Sequence, residues 1–172
     1  MTDSLQAFGQ GTAVITGAGA GIGAGLARRA AQLGMDVVLV DVAAARVETE
    51  AEAIRSGGGR ARAYVVDVSD SAAMAALAAD VQERHGNVRL LINNAGIETL
   101  GFSWELSAAQ WDRALGVNIG GVVNGVRAFI PGMIAAGEHA FVANTSSIGG
   151  LSIMPVQTAY IMAKHAVLAF TE

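Results

Sequence analysis

Short apolar runs alternate with longer alanine-rich segments along most of this chain. Because buried parallel strands are short apolar runs and the helices that connect them are longer, this alternation predicts βαβ units around a parallel sheet, which is an α/β fold. The predicted strands span residues 12–16, 36–41, 62–68, 88–93 and 140–145. The predicted helices span residues 22–33, 43–56, 71–85, 108–136 and 158–172, with a bend before Pro131 in the fourth.

Composition fits one domain over residues 1–172. The chain has 172 residues, of which 52% are hydrophobic and 15% charged, and this is enough to form a sizeable core. Residues 1–10 lack the pattern of a secretory signal. The absence of cysteine excludes disulfides and thiolate metal sites and is compatible with the reducing cytoplasm, where we expect the protein. We expect no membrane span, because the most apolar region, 115–136, is interrupted by Asn118, Asn124, Arg127 and Pro131.

The charge pattern and the histidine spacing argue against two further classes of site. The net charge is −4 and the arginines are scattered, so no basic face is available and we expect no nucleic-acid partner. The three histidines, His85, His139 and His165, are too far apart in sequence to suggest a metal site.

A glycine-rich turn follows the first predicted strand, with glycines at positions 17, 19, 21, 23 and 25. Glycines at a strand-to-helix turn let the backbone approach a pyrophosphate and direct the N-terminus of the next helix at the anion. The strict dinucleotide-binding spacing fails here, and only Gly19, Gly21 and Ala24 fit the variant that ends in alanine. A tight turn without a ligand is therefore the alternative interpretation at this step.

Asp41 ends the second predicted strand, about 20 residues beyond the turn, where a carboxylate can accept hydrogen bonds from the adenosine ribose. It would repel a 2′-phosphate, which favours NAD over NADP, although Arg46 is close enough in sequence to keep NADP open. Asp67 and Val68 could reach the adenine rim of the same crevice. The alternatives are that Asp41 caps the helix near residue 43 and that Asp67 or Ser69 caps the helix that follows.

The single lysine of the sequence, Lys164, lies four residues after Tyr160, one of two tyrosines. This spacing places both side chains on one face of a helix. An ammonium group beside a phenol favours the phenolate, so it lowers the phenol pKa from about 10 towards a range that suits proton transfer. Ser147 could hold a substrate oxygen near this pair, and Ser146 is the rival candidate for that role.

These features together resemble the short-chain dehydrogenase/reductase family over the chain from about Thr12 to its last residue. The turn from Thr16 to Gly23 is similar to the cofactor turn of that family, and Asn93-Asn94-Ala95-Gly96 is similar to its NNAG motif. The matching catalytic set consists of Asn118, Ser147, Tyr160 and Lys164.

The resemblance implies a Rossmann-type doubly wound sheet with strand order 3-2-1-4-5 and reversible hydride transfer between NAD(H) and a secondary alcohol or ketone. In that reaction Tyr160 would donate or accept the proton, Ser147 would orient the substrate oxygen, Lys164 would also bind the nicotinamide ribose, and Asn118 would hold a water that connects Lys164 to solvent. The implied cofactor-binding residues are Gly17, Gly19, Gly21, Ile22, Gly23, Asp41, Asp67, Val68, Asn94, Ala95, Gly96, Tyr160 and Lys164.

The family usually continues into further parallel strands, a Pro-Gly segment and a substrate lid that this sequence does not contain, so we expect a C-terminal truncation. Two alternatives to the dehydrogenase follow: a catalytically silent dinucleotide-binding module and an inactive fragment of such an enzyme. The resemblance also implies a homodimer or homotetramer formed through the helices at 108–136 and 158–172. Apolar residues near the proposed site, among them Ile97, Leu151 and Ile153, suggest a small apolar alcohol or ketone as substrate.

Overall fold

A five-stranded parallel sheet forms the centre of the computed structural model, which describes residues 11–172. The order β3-β2-β1-β4-β5 confirms the predicted doubly wound α/β fold. The central strands are continuous apolar runs because both faces are covered, and the side chains of Ala13–Ile15 and Val37–Val40 are fully buried. The strands are β1 Thr12–Thr16, β2 Asp36–Asp41, β3 Arg60–Val65, β4 Val88–Asn93 and β5 Phe141–Asn144.

Helices cover both faces of the sheet. Alternate residues of each strand point to opposite faces, so Ile15 and Leu39 pack beneath α1 and α2 while Val14 and Val40 pack beneath α3 and α5. The helices are α1 Gly21–Gln32, α2 Ala44–Ser56, α3 Ser71–His85, α4 Ala108–Leu115, α5 Gly121–Ala136 and α6 Thr158–Thr171. A π-helical segment, Gly116–Gly120, joins α4 to α5, and a 3₁₀ turn, Ile148–Gly150, precedes α6.

The third strand begins and ends earlier than the predicted 62–68. Every residue of β2 pairs with β3, from Asp36 opposite Arg60 to Asp41 opposite Val65. The chain then leaves the sheet because Asp67 accepts a hydrogen bond from Ser69 N at 2.9 Å and forms a turn. The fifth strand is likewise shorter than the predicted 140–145, because pairing with β4 extends only from Phe141 to Asn144.

The helix that follows this turn is capped by a residue that the sequence analysis did not select. Asp70 is the N-cap of α3, and its Oδ1 accepts hydrogen bonds from Ala72 N and Ala73 N at 2.9 and 3.0 Å. Asp67 and Ser69 bond to each other instead. The alternative in which Asp67 or Ser69 caps this helix is therefore wrong, because Asp70 is the residue that reaches the free N–H groups of the first turn.

The predicted helix 108–136 is interrupted at Gly116–Gly120, and Pro131 lies inside α5. The side-chain amide of Asn118 donates to Ala114 O at 2.9 Å, which is the carbonyl that the backbone N–H of Asn118 would bond in an α-helix. Insertion of a side chain into the helical ladder explains why the backbone widens into a π turn here. The predicted helix is therefore divided before Gly121, and the bend expected before Pro131 stays a prediction.

By length and composition alone, the helical run Ala108–Ala136 could cross a membrane, with a mean hydropathy of 1.4 in its most apolar window. Asn118, Asn124, Arg127 and Pro131, which interrupt the apolar sequence, all lie within this run. The criterion is weak evidence, because core helices of soluble proteins also meet it. Val122, Phe129 and Met133 are buried in this run, and α5 packs against α3 and β4. The apolar residues of α5 thus have a packing role within the fold.

Candidate active site

A cavity of about 640 Å³ lies at the carboxyl ends of the strands, where the chain crosses from one side of β1 to the other. Open α/β sheets bind their ligands at this switch point, and the volume is in the range of ligand pockets. Among the predicted cofactor residues, the cavity is lined by Gly17, Gly21, Ile22, Gly23, Asp41, Asp67, Val68, Asn94, Ala95 and Gly96. Gly19, Tyr160 and Lys164 do not line it.

The turn between β1 and α1 requires glycine at two positions that border this cavity. Gly17 has φ +66°, and a Cβ there would lie 2.9 Å from Ala95 Cα. A Cβ on Gly23 would lie 2.1 Å from Gly17 O. Among residues 11–172 no side chain caps the N-terminus of α1, so the positive end of its dipole and its first N–H groups are available to an anion. The turn has the properties of a phosphate cradle.

Asp41 joins the turn to the beginning of α2. Its Oδ2 accepts a hydrogen bond from Gly19 N, and its Oδ1 accepts one from Ala43 N, both at 2.9 Å. Gly19 is thus near the cavity through Asp41, although it does not line it. Arg46 also lines the cavity beside Asp41, and a Cβ on Gly19 would lie 3.2 Å from Arg46 Cβ. This end of the cavity therefore carries a carboxylate and a guanidinium group together.

Asp67, Val68 and Ser69 line another part of the same cavity. Hydrogen bonds from the Ser69 hydroxyl and from its backbone N–H hold the pKa of the Asp67 carboxyl below its usual range, and the charge of Arg113 adds to the effect. Arg113 was not among the predicted site residues. The signal that could have found it is helical spacing, since it lies four residues before Val117 and both residues line the cavity.

Asn94 connects the glycine turn to the strand end at β4. Its Nδ2 donates to Thr16 O at 3.0 Å, while the N–H groups of Asn94 and Ala95 both donate to Thr16 Oγ1, at 2.9 and 3.0 Å. The hydroxyl of Thr145 donates to Asn94 Oδ1 at 3.4 Å. Asn94 therefore fixes the position of the turn relative to β4 and β5.

Asn118 is fully buried, and its side chain binds the backbone of the segment that follows β4. Its Oδ1 accepts from Ile97 N at 3.0 Å, and its Nδ2 donates to Ile97 O at 2.9 Å as well as to Ala114 O. A Cβ on Gly96 would lie 2.9 Å from Asn118 Oδ1 and 3.5 Å from Lys164 Nζ. Glycine at position 96 therefore lets Asn118 and Lys164 approach the same point.

Lys164 is 4% exposed, and its Nζ donates to Thr145 O at 2.7 Å. Burial lowers the pKa of this ammonium group. Its Nζ lies 5.6 Å from the centroid of the Tyr160 ring, so the predicted placement of both side chains on one face of α6 agrees with the geometry. Thr145, whose carbonyl holds the lysine, was not predicted as a site residue, because nothing local in the sequence links it to α6.

The two candidate serines differ in what their hydroxyl groups bond. The Ser146 hydroxyl donates to Lys164 O at 2.9 Å, so its hydrogen is already committed to α6. The Ser147 Oγ accepts from Gly149 N at 3.1 Å, which leaves its own hydrogen available. A Cβ on Gly149 would lie 3.6 Å from Ser147 Oγ and 3.5 Å from Tyr160 Cε1. The geometry therefore favours Ser147, which lies beside Tyr160.

A doubly wound parallel sheet with a glycine cradle at its switch point defines a dinucleotide-binding α/β protein. The family model described as "short chain dehydrogenase" matches residues 11–172, and the chain belongs to that family of oxidoreductases.

Two named relatives are similar over almost all of this chain. It is 39% identical to "Probable oxidoreductase EphD" of Mycobacterium tuberculosis over 165 residues, which are 96% of this chain and 28% of that protein. It is 37% identical to "Oxidoreductase UcpA" of Escherichia coli K12 over 161 residues, which are 94% of this chain and 61% of that protein. The chain thus spans less than two thirds of the length of either relative.

Two solved structures are similar to the fold described above. One is a short-chain dehydrogenase/reductase from Burkholderia phymatum in complex with NAD, with a TM-score of 0.94 and 42% identity. The match covers 96% of this chain and 59% of that one. The other is a metagenomic short-chain oxidoreductase in complex with NADP, with a TM-score of 0.89, 34% identity, and coverage of 94% of this chain and 73% of that one. These two structures therefore hold different nicotinamide dinucleotides.

Proposed function

We propose that this chain carries the cofactor site and the catalytic residues of an enzyme that transfers a hydride between NAD(H) and a secondary alcohol or ketone. The observation that carries the proposal is the position of Lys164, whose buried ammonium group lies 5.6 Å from the Tyr160 ring and near Gly96 at the cavity wall. A buried cation beside a phenol serves proton transfer, and burying it has a free-energy cost that packing alone does not explain.

The cradle around the glycine turn supports a dinucleotide as the ligand. A Cβ on Gly17 or Gly23 would meet backbone atoms, so these glycines keep the turn tight. A Cβ on Gly21 would meet no described atom within 4 Å, so the space beside this cavity residue is open to a pyrophosphate. Asp41 lines the cavity with both of its oxygens held by backbone N–H groups, which keeps the carboxylate in place for the ribose hydroxyls. We propose NAD as the cofactor on this ground, with Arg46 as the residue that would allow some binding of NADP.

When bound, the nicotinamide supplies or accepts the hydride. The residues of the chain perform the proton chemistry and the positioning. Ser147 donates its free hydroxyl hydrogen to the substrate oxygen, and Tyr160 exchanges a proton with the same oxygen. Lys164 stabilises the phenolate form of Tyr160 while Thr145 O holds the ammonium group at 2.7 Å. Asn118 fixes the backbone at Ile97, next to the lysine.

A small apolar substrate is favoured by the two loops beside Ser147. Residues 146–157 contain no charged side chain. This loop is tied to the loop after β4 by hydrogen bonds from Gly101 N to Val156 O at 2.8 Å and from Gln157 Nε2 to Glu98 Oε1 at 2.6 Å. Both loops present exposed apolar side chains to an incoming ligand: Leu100, Leu151, Ile153 and Met154.

We further propose that the complete protein is a homodimer or homotetramer. Ile134 on α5 and Met162 and Phe170 on α6 are exposed apolar side chains on the helices expected to form the interface. Light scattering at micromolar concentration tests this proposal, and a stable monomer contradicts it.

The experiment that tests the proposed function is a fluorescence titration of the chain with NADH, followed by turnover measurements with a panel of secondary alcohols and ketones. Binding with turnover supports the dehydrogenase. Binding without turnover on the whole panel favours the catalytically silent module, and no binding favours the inactive fragment.

A further inference from the structure

Three arginines stand apart from the other seven in the described part of the chain, because their guanidinium groups make no hydrogen bond, ion pair or ring contact among residues 11–172. Two of them, Arg46 and Arg113, line the main cavity, and the third, Arg127, does not. Arginine side chains on a protein surface commonly pair with carboxylates or carbonyl groups, as Arg28, Arg55 and Arg84 do here. Guanidinium groups that are free on a cavity wall are available to bind a ligand there.

Arg113 lies on α4, one helical turn before Val117, so both side chains are on the face that borders the cavity. Its charge contributes to the lowered pKa of Asp67, which places the guanidinium within electrostatic reach of the Asp67–Ser69 turn. Asp67 is already held by Ser69 and makes no ion pair with Arg113. The guanidinium and this turn therefore line the same cavity without bonding to each other, and we call the part of the cavity that they border the gap.

We infer that Arg113 is a recognition residue for the adenine end of the dinucleotide. The inference rests on the proposed function, because it requires a dinucleotide in the main cavity. The ligand chemistry that suits the gap is a flat aromatic ring: a planar, weakly hydrated guanidinium stacks on such a ring, and a carboxylate opposite accepts hydrogen bonds from an exocyclic amino group. A purine has both features. The pyrophosphate is served separately by the turn at Gly17–Gly23, so no phosphate is needed to explain the cation.

A second cavity, of about 380 Å³, also borders Arg113 and shares Ile97 with the main one. A substrate group in that cavity is the competing explanation for the unpaired cation. The position of Val117 and the influence of Arg113 on Asp67 both favour the main cavity, since neither Val117 nor Asp67 lines the second one.

The test measures binding of AMP, NADH and reduced nicotinamide mononucleotide by calorimetry to the wild-type chain and to Arg113→Ala, Arg113→Lys and Arg127→Ala. We expect Arg113→Ala to weaken AMP and NADH binding about tenfold, in line with the typical loss per stacked base, and to leave mononucleotide binding unchanged. Arg113→Lys should recover little of the loss, because an ammonium group lacks the planar surface. Arg127→Ala is the matched control on the same helical run and should bind all three ligands normally.

The inference is overturned if Arg113→Ala and Arg113→Lys bind AMP as tightly as the wild type does. It is also overturned if the substitutions weaken binding of the mononucleotide as strongly as they weaken binding of AMP. If the wild-type chain binds neither AMP nor NADH, the proposed cofactor site itself fails, which is a separate result. The Arg113 side chain is exposed and makes no hydrogen bond or ion pair among the described residues. Both variants should therefore unfold at the same urea concentration as the wild type, and this is checked first.

Discussion

The glycine turn offers a sharp prediction, because two glycines in the same helix differ completely in their surroundings. A Cβ on Gly23 would lie 2.1 Å from Gly17 O, 2.7 Å from the Gly17 carbonyl carbon and 2.7 Å from Asn94 Nδ2. Two of these atoms are backbone, so no side-chain rotation relieves the overlap. The turn cannot retreat either, since Gly17 itself packs closely against Ala95. In contrast, a Cβ on the exposed Gly25 would meet nothing within 4 Å.

The expected size of the effect follows from two opposing contributions. Overpacking in a tight site typically costs about 1–3 kcal/mol. Replacing glycine by alanine in a helix returns about 0.5–1 kcal/mol. We therefore expect Gly23→Ala to lower the free energy of unfolding by roughly 1–2 kcal/mol and Gly25→Ala to raise it by about 0.5–1 kcal/mol.

Urea denaturation measures these differences, and a fluorescence titration with NADH measures the consequence for the site. Displacing the turn disturbs the hydrogen bond from Asn94 Nδ2 to Thr16 O and opens the phosphate cradle, so Gly23→Ala should bind NADH at least about tenfold more weakly. Gly25→Ala should bind as the wild type does. If Gly23→Ala unfolds at the wild-type urea concentration and binds NADH normally, the close approach described for this turn is not a requirement of the site.

Three further predictions concern single side chains. Asn118→Leu leaves the buried carbonyl of Ala114 and the partly buried N–H and C=O groups of Ile97 without this partner. An unpaired buried group costs about 1–3 kcal/mol, so urea denaturation should show a loss of at least about 2 kcal/mol, and a smaller loss means that the π segment does not depend on this amide. Asp41→Ser removes the carboxylate that repels a 2′-phosphate while Arg46 stays, so the ratio of NADPH to NADH affinity should rise about tenfold, and an unchanged ratio contradicts the assignment of the ribose site. Burial and the hydrogen bond to Asp80 raise the pKa of Tyr64 to about 12. The contribution of Tyr64 to stability is therefore present below pH 10 and is lost as the pH rises through 12. If the wild type loses no stability relative to Tyr64→Phe between these pH values, the raised pKa is refuted.

The parts of the fold that the sequence predicts well are those in which local pattern and burial agree. β1, β2 and β4 have the predicted bounds because their apolar runs coincide with strands that neighbours cover. The bounds of β3 differ from the prediction because β3 is an edge strand. Exposed arginines at 60 and 62 alternate with alanines there, so no continuous apolar run marks where the strand begins. The π segment could not be predicted, because the Asn118 side chain that bonds to Ala114 O is also held by Ile97, a residue far from it in sequence.

The candidate site divides in the same way. The pairing of Tyr160 with Lys164 follows from helical spacing and could be predicted. The choice of Ser147 over Ser146 depends on which hydroxyl bonds to Lys164 O, and this is known only once α6 packs beside the loop. Thr145 was missed for the same reason, since its role comes from a neighbour in space. Sequence therefore indicates the chemistry, and the fold determines which side chains can take part.

The most direct test of the central claim compares the two tyrosines of the chain. Tyr64 bonds to Asp80 and lines none of the cavities at the candidate site, so Tyr64→Phe is a matched control for Tyr160→Phe. Both variants are titrated with NADH and assayed with whichever alcohol or ketone the wild type turns over. We predict that both variants still bind NADH, that Tyr64→Phe keeps wild-type turnover, and that Tyr160→Phe loses about 10²–10⁴-fold in kcat because its proton donor is gone. Wild-type turnover by Tyr160→Phe would contradict the account.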